Sequence, residues 1–198
     1  MPAPADFDSA VLGGALPAAA EQALREASAL RGEPALEAAA LMRAQALAPE
    51  HPAVLIALYR NHFYAQRLKP ARAVARRALV VGADVLGLPA LWREVPAKPL
   101  PGARDEAGPR FYLFALKGLA YLSLRLGDAA EARDALALLR ALDPNDHVGA
   151  ALIEAVRLRA LAGTEADEVG EASHSPPTGA LAWASLAPAP AAVACGSA

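Results

Sequence analysis

The chain has 198 residues, 55% hydrophobic and 20% charged, with a formal net charge of −2 at pH 7. That length supports one domain with a buried core, and the near-neutral charge sets it apart from nucleic-acid-binding proteins, which carry a basic excess. A single cysteine, Cys195, excludes an internal disulfide, and no Cys/His spacing offers a zinc site.

No Lys or Arg precedes Arg25, so the basic region of a secretory signal is lacking. The apolar run at 180–186 is too short to span a bilayer and is followed by Pro188 and Pro190. A cytoplasmic protein with no membrane segment is expected. Arg outnumbers Lys 16 to 3 and Ala is abundant, usage that suits a GC-rich bacterial genome.

Residues 1–16 mix Pro, Ala, Gly and Asp without period and are expected to be flexible. Pro17 to Arg31 is Ala-rich and helical by propensity, with Leu24 and Leu30. Gly32-Glu33-Pro34 interrupts it. Residues 35–48 then place Leu36, Ala40, Leu41, Ala44 and Leu47 at helical spacing, and Pro49 and Pro52 end that run. A third helix covers 53–66. A fourth starts near Pro70, which fits a first turn where its missing N–H costs nothing, and runs to about Gly82. Residues 83–109 hold five prolines around "GLPALWREVP" and read as an irregular insertion. Helices follow at 111–126, 129–142 and 147–161. From 163 to 198 an acidic patch (Glu165, Asp167, Glu168, Glu171) leads into a Pro/Ala/Ser/Gly tail, expected to be disordered because it cannot offset its ordering entropy. Almost nothing alternates with period two, so no sheet is predicted.

The punctuation repeats. Gly32-Glu33 is followed by Pro49, and Gly127-Asp128 by Pro144, an interval of 17 in both cases, and the two units lie 95 residues apart (127 − 32 = 144 − 49 = 95). Since 95 = 34 + 34 + 27, one further 34-residue unit fits between them with 27 residues over, the length of the 83–109 insertion. A fixed period indicates stacked helix pairs. The unit Leu113–Asp146 has Leu116, Leu119, Ala120, Gly127, Ala132, Leu136, Leu139 and Pro144 where the tetratricopeptide repeat (TPR) family has its large, small and turn residues, and so resembles that family. The middle unit, from Pro52, departs from the pattern at Tyr59 and at Gln66-Arg67, where a small residue and Gly-Asp are usual. The first unit has Glu37 in place of Ala. The resemblance covers 17–161, within a helical domain expected over 17–162, and implies an all-α, right-handed α-solenoid of about three helix pairs with 147–161 as a capping helix. Ala132 should sit between the two helices of its pair.

In that family the first helix of each pair lines a concave groove that holds a peptide or partner segment. Carried over by position, the groove would be lined by Arg60, Phe63 and Tyr64 from one unit and Lys117, Tyr121 and Arg125 from the next. This basic and aromatic set suits a protein partner with an acidic segment and an apolar anchor. The competing reading makes Phe63, Phe114 and Tyr121 core residues. Residues 58–82 carry six basic side chains and no acid; a solvated face, in contact with the acidic 165–171 stretch, is the expected arrangement of Arg72 and Arg76. Asp143 and Asp146 around Pro144-Asn145 read as turn and N-cap residues. The four histidines lack metal-ligand spacing, and no nucleophile elbow, phosphate loop or dinucleotide fingerprint is present.

The expected function is therefore a non-catalytic interaction module, an adaptor or assembly helper, with no cofactor and no metal. The alternative is a sensor of a small molecule or nucleic acid that uses the basic 60–77 region, with the 83–109 insertion as a lid. "HPAVLIALYRNHFYAQRL" and "RFYLFALKGLAYLSLRLGD" also resemble small TPR proteins encoded beside bacterial nitrogen-fixation genes.

Overall fold

The computed structural model describes residues 16–166. The expected flexible stretch up to residue 15 and the expected tail from residue 167 on, Cys195 included, lie outside the described residues, whereas 163–166, read as the start of that tail, continue the last helix. Within them the chain is all-helical: α1 (Ala18–Ala29), α2 (Pro34–Leu47), α3 (Pro52–Tyr64), α4 (Leu68–Leu86), a 3-10 turn (Trp92–Glu94), α5 (Ala107–Arg125), α6 (Ala129–Leu142) and α7 (Ala150–Ala166). No strand occurs among the described residues.

Local chemistry sets the boundaries. Pro34 and Pro52 open α2 and α3 at the first helical position, where a missing N–H goes unnoticed. Asp128 caps α6 by accepting the Glu131 N–H at 3.1 Å. Asp146 does the same for α7, accepting from the N–H groups of Ala150 and Ala151. The 143–146 segment is thus the turn-and-cap sequence expected of it. Between α5 and α6, Gly127 adopts φ +79° and the Asp128 N–H reaches back to the Ser123 carbonyl at 2.8 Å. Gln66, the middle unit's counterpart, makes the same corner at φ +57°, with the Arg67 N–H on the His62 carbonyl at 2.8 Å. A side chain there costs about 1 kcal/mol more than glycine. Gly32 is not in the left-handed region, so the first corner departs from the repeat.

Successive helices pack on one another along the whole described chain, and α7 rests on both α5 and α6. The α4–α5 contact is the most extensive, and Gly82 permits it. A Cβ there would lie 3.2 Å from Tyr112 Cδ2 and 3.3 Å from Phe111 Cδ1. Gly82 therefore lies inside α4 rather than ending it; the helix continues to Leu86 and stops at Gly87, φ +63°. Helix α5 is the axle of the molecule, buried without interruption from Phe111 to Ala120. Such a helix must be largely apolar all round, and within that stretch the one charged residue is Lys117. Ala132 is fully buried on α6.

The insertion is a strap rather than a loose loop. Trp92, Val95 and Ala103 are buried, the 3-10 turn packs on α4 and α6, and the Leu100 N–H donates to the Leu142 carbonyl at 2.8 Å. Its two ends were absorbed by the neighbouring helices, leaving 87–106 as the connection.

Candidate functional site

Helices α3 and α5 meet through a run of aromatic rings. On α3, Tyr59 and Phe63 are four residues apart and stack at 5.8 Å with 12° between planes. Phe63 meets Tyr121 of α5 at 5.8 Å and its own neighbour Tyr64 edge-on at 5.7 Å. One turn further along α5, the Arg125 guanidinium lies 5.8 Å from the Tyr121 ring centroid, and its Nη1 donates to Tyr121 Oη at 2.9 Å. Tyr64 is 53% exposed, and Arg125 is also exposed, whereas Phe63, Tyr121 and Arg60 are half-buried. Neither helix contains an acidic residue. The surface is therefore an aromatic floor with Arg125 at its edge, able to hold an apolar anchor and a carboxylate together.

Tyr59 belongs to this floor although the repeat pattern counts it as a departure. It is buried, and burial, followed by the electrostatic influence of Tyr121 and Tyr64, pushes its phenol well above the ordinary tyrosine range. Its room comes from Gly118 across the interface, where a Cβ would stand 3.0 Å from Tyr59 Oη and 3.2 Å from Cζ. A large residue at position 59 facing a glycine on the next first helix was the available sequence signal. Of the residues the competing reading assigned to the core, Phe114 is core, 5% exposed beneath the Arg110 guanidinium, while Phe63 and Tyr121 are not fully covered.

Lys117 does not join the surface. It is 6% exposed, and its Nζ donates to the Val148 carbonyl at 2.5 Å, fixing the entry to α7. Burial lowers its pKa, opposed by the charge of Asp146. Beside it Asp143, buried, contacts His147 Nδ1 at 2.7 Å and accepts the Val148 N–H at 3.0 Å. The position-by-position carry-over missed this because the loop before α7 folds back over the lysine.

The basic run differs from expectation too. On a face that remains partly solvated, Arg76 Nη2 lies 2.7 Å from Glu131 Oε1, and Arg72 Nη1 lies 3.3 Å from both Glu131 and Asp128. Arg93 of the strap stands 3.8 Å from Glu131 and 4.2 Å from the centroid of the Trp92 ring. Ser123 Oγ donates to Glu131 at 2.6 Å, and the carboxylate's side chain is only 4% exposed. Three arginines thus converge on one buried glutamate at the joint between the second and third pairs. The element expected to act as a lid is a strap fixed to α4 and α6 by the same cluster.

An open cleft of roughly 970 Å³ lies between α6 and α7, lined by Ala137, Arg140, Asp143, Asp146, Glu154 and Leu158. Glu154 is held by Arg157 at 2.7 Å, and that hydrogen bond is the largest cause of its lowered pKa. Among the described residues no group of His, Cys, Asp and Glu is arranged to hold a metal ion, and no helix is long and apolar enough to cross a membrane.

No protein-family model matches the chain, and no solved structure matches it. One relative does, at 39% identity over 150 residues, spanning 75% of this chain and 84% of its own length. It is an Azotobacter chroococcum mcd 1 protein that carries the name "Uncharacterized 19.8 kDa protein in nifW 5'region". With identity and coverage of that order the two chains share one ancestry, and this all-helical protein belongs to the family of the Azotobacter 19.8 kDa protein.

Proposed function

We propose that the protein is a non-catalytic interaction module serving nitrogen fixation: a solenoid of TPR-like helix pairs that docks a segment of a protein partner on the Tyr64/Arg125 surface. The observation that carries this reading is the contact of Phe63 with Tyr121, which joins the first helices of two successive pairs into one surface with exposed Tyr64 and Arg125 at its edges. Matching corners at Gln66 and Gly127, whose spacing of 61 residues (127 − 66) equals one 34-residue unit plus the 27-residue insertion, support the repeat. The link to nitrogen fixation rests on the relative from the nifW 5' region. Rigid aromatic anchors beside arginine are the composition of binding hot spots.

The test is the double variant Tyr64→Ala/Arg125→Glu, used as bait by crosslinking in cells growing on dinitrogen. The parent should capture a partner that the variant loses while its melting is unchanged. Equal capture by both would move the docking site away from α3 and α5. Deleting the gene should slow growth on dinitrogen and leave growth on ammonium unaffected; equal growth on both would remove the nitrogen-fixation role.

A further inference from the structure

We propose that the acidic stretch of this same chain, Glu165, Asp167, Glu168 and Glu171, is the resident occupant of the Tyr64/Arg125 surface, so that a partner must displace it. The proposal rests on the docking reading above and adds a regulator to it.

Charge distribution is the first argument. Beyond Arg159 the chain contains no Lys or Arg and four carboxylates, whereas α3 and α5 contain cations and no carboxylate. Removing those four acids from the formal balance leaves residues 1–159 at +2 (−2 + 4), so the segment beyond 159 carries negative charge with no cation of its own. The second argument is tethering. Helix α7 packs on α5, the helix that carries Tyr121 and Arg125, and the acidic stretch begins in the last turn of α7. A segment tethered to the same molecule by a short flexible chain acts at an effective concentration in the millimolar range, enough to fill a weak site. The third is chemical fit. The guanidinium of Arg125 has five N–H donors, one of which serves Tyr121 Oη, and its fork matches a carboxylate. Tyr64, edge-on to Phe63 on the same run of rings and 53% exposed, offers a broad apolar face, which suits the indole of Trp183 further along the tail.

The experiment compares amide NMR spectra of the full chain with those of the neutralised variant Glu165→Gln/Asp167→Asn/Glu168→Gln/Glu171→Gln, each at two protein concentrations. With the tail docked in cis, the amides of 60–64 and 121–125 shift between the two proteins, the shifts do not depend on concentration, and about 0.5 M salt moves the parent toward the variant. A synthetic peptide copying residues 163–186 should bind the neutralised variant about tenfold more tightly than the parent, as expected of a site filled nine-tenths of the time by its own tail. Differences confined to residues beyond 160 overturn the proposal, as do shifts that grow with concentration, which would report the tail of a second copy. If the neutralised variant matches the parent while Tyr64→Ala/Arg125→Glu still loses the captured partner, the surface docks a partner and not the tail. If the tail shifts appear and partner capture is unaffected by that double variant, the tail contact stands and the docking function falls.

Discussion

Replacing Glu131 with Ala should cost about 3 kcal/mol of folding stability. The carboxylate lies 2.7 Å from Arg76, 3.3 Å from Arg72 and 2.6 Å from the Ser123 hydroxyl, with its own side chain 4% exposed. Hydrogen bonds to a charged group contribute about 1.5–3 kcal/mol each. The arginines temper that figure, because Arg76 is 48% exposed and rehydrates when its partner goes, whereas Arg72, at 21%, rehydrates less. Arg76 then accounts for about 0.5–1 kcal/mol, Arg72 and Ser123 for about 1 kcal/mol each, and together they approach 3 kcal/mol. Urea unfolding followed by far-UV circular dichroism is the assay. At a slope of about 2 kcal/mol/M the midpoint should fall by about 1.5 M with the slope unchanged. Glu131→Gln, which keeps the shape and removes the charge, should lose roughly two-thirds as much, and a double-mutant cycle with Arg76→Ala should show coupling of at least about 0.5 kcal/mol. A midpoint shift below about 0.3 M for Glu131→Ala would refute the idea that this cluster holds the second and third pairs together.

Ala132→Leu should overpack the α5–α6 contact and cost about 1–3 kcal/mol; a neutral result in thermal melts would show that the pair tolerates wider spacing. Gly118→Val should lower stability by about 1–3 kcal/mol and raise the accessibility of Tyr59, read by near-UV circular dichroism, since even its Cβ would meet the phenol at 3.0 Å. Tyr112 is fully buried and its hydroxyl has no hydrogen-bond partner among the described residues, so Tyr112→Phe should be neutral or up to about 1 kcal/mol more stable at pH 7. Burial pushes that phenol up to about 12 from 10.0, so the folded state holds the proton more tightly. Stability is complete below pH 10 and falls as pH rises toward 12, and the phenylalanine variant should lose that part of the alkaline decline.

Helix positions were legible because prolines, the Gly127 corner and the cap at Asp128 are local signals that act on neighbouring residues. Gln66 was harder, since nothing within the segment announces a left-handed residue; only its phase relative to Gly127 does. The strap escaped the sequence reading for a different reason. "GLPALWREVP" has no period, and Trp92 gains its place only from α4 and α6, which come from either side of it in the chain. The site was legible in part. Tyr121 and Arg125, four apart on one helix, face the same way, and Phe63 meets Tyr121 across the two helices, with Tyr64 edge-on to Phe63. Lys117 shares that register, yet the backbone carbonyl of Val148 drew it inward, a long-range contact outside any repeat rule. Arg72 and Arg76 read as a solvated stripe until Glu131 is seen across the joint.

The strap also bears on how the molecule comes apart. In a linear array each pair touches only its neighbours, so unfolding can creep inward from either end and halt at any junction. Here the Leu100–Leu142 hydrogen bond and the buried Trp92 tie the middle of the connection to the far side of the next pair. Opening the junction between α4 and α5 therefore requires α6 to let go as well. The stretch from α4 through α6 should exchange its amide hydrogens as one cooperative block, while α1, α2 and α7 open independently and earlier.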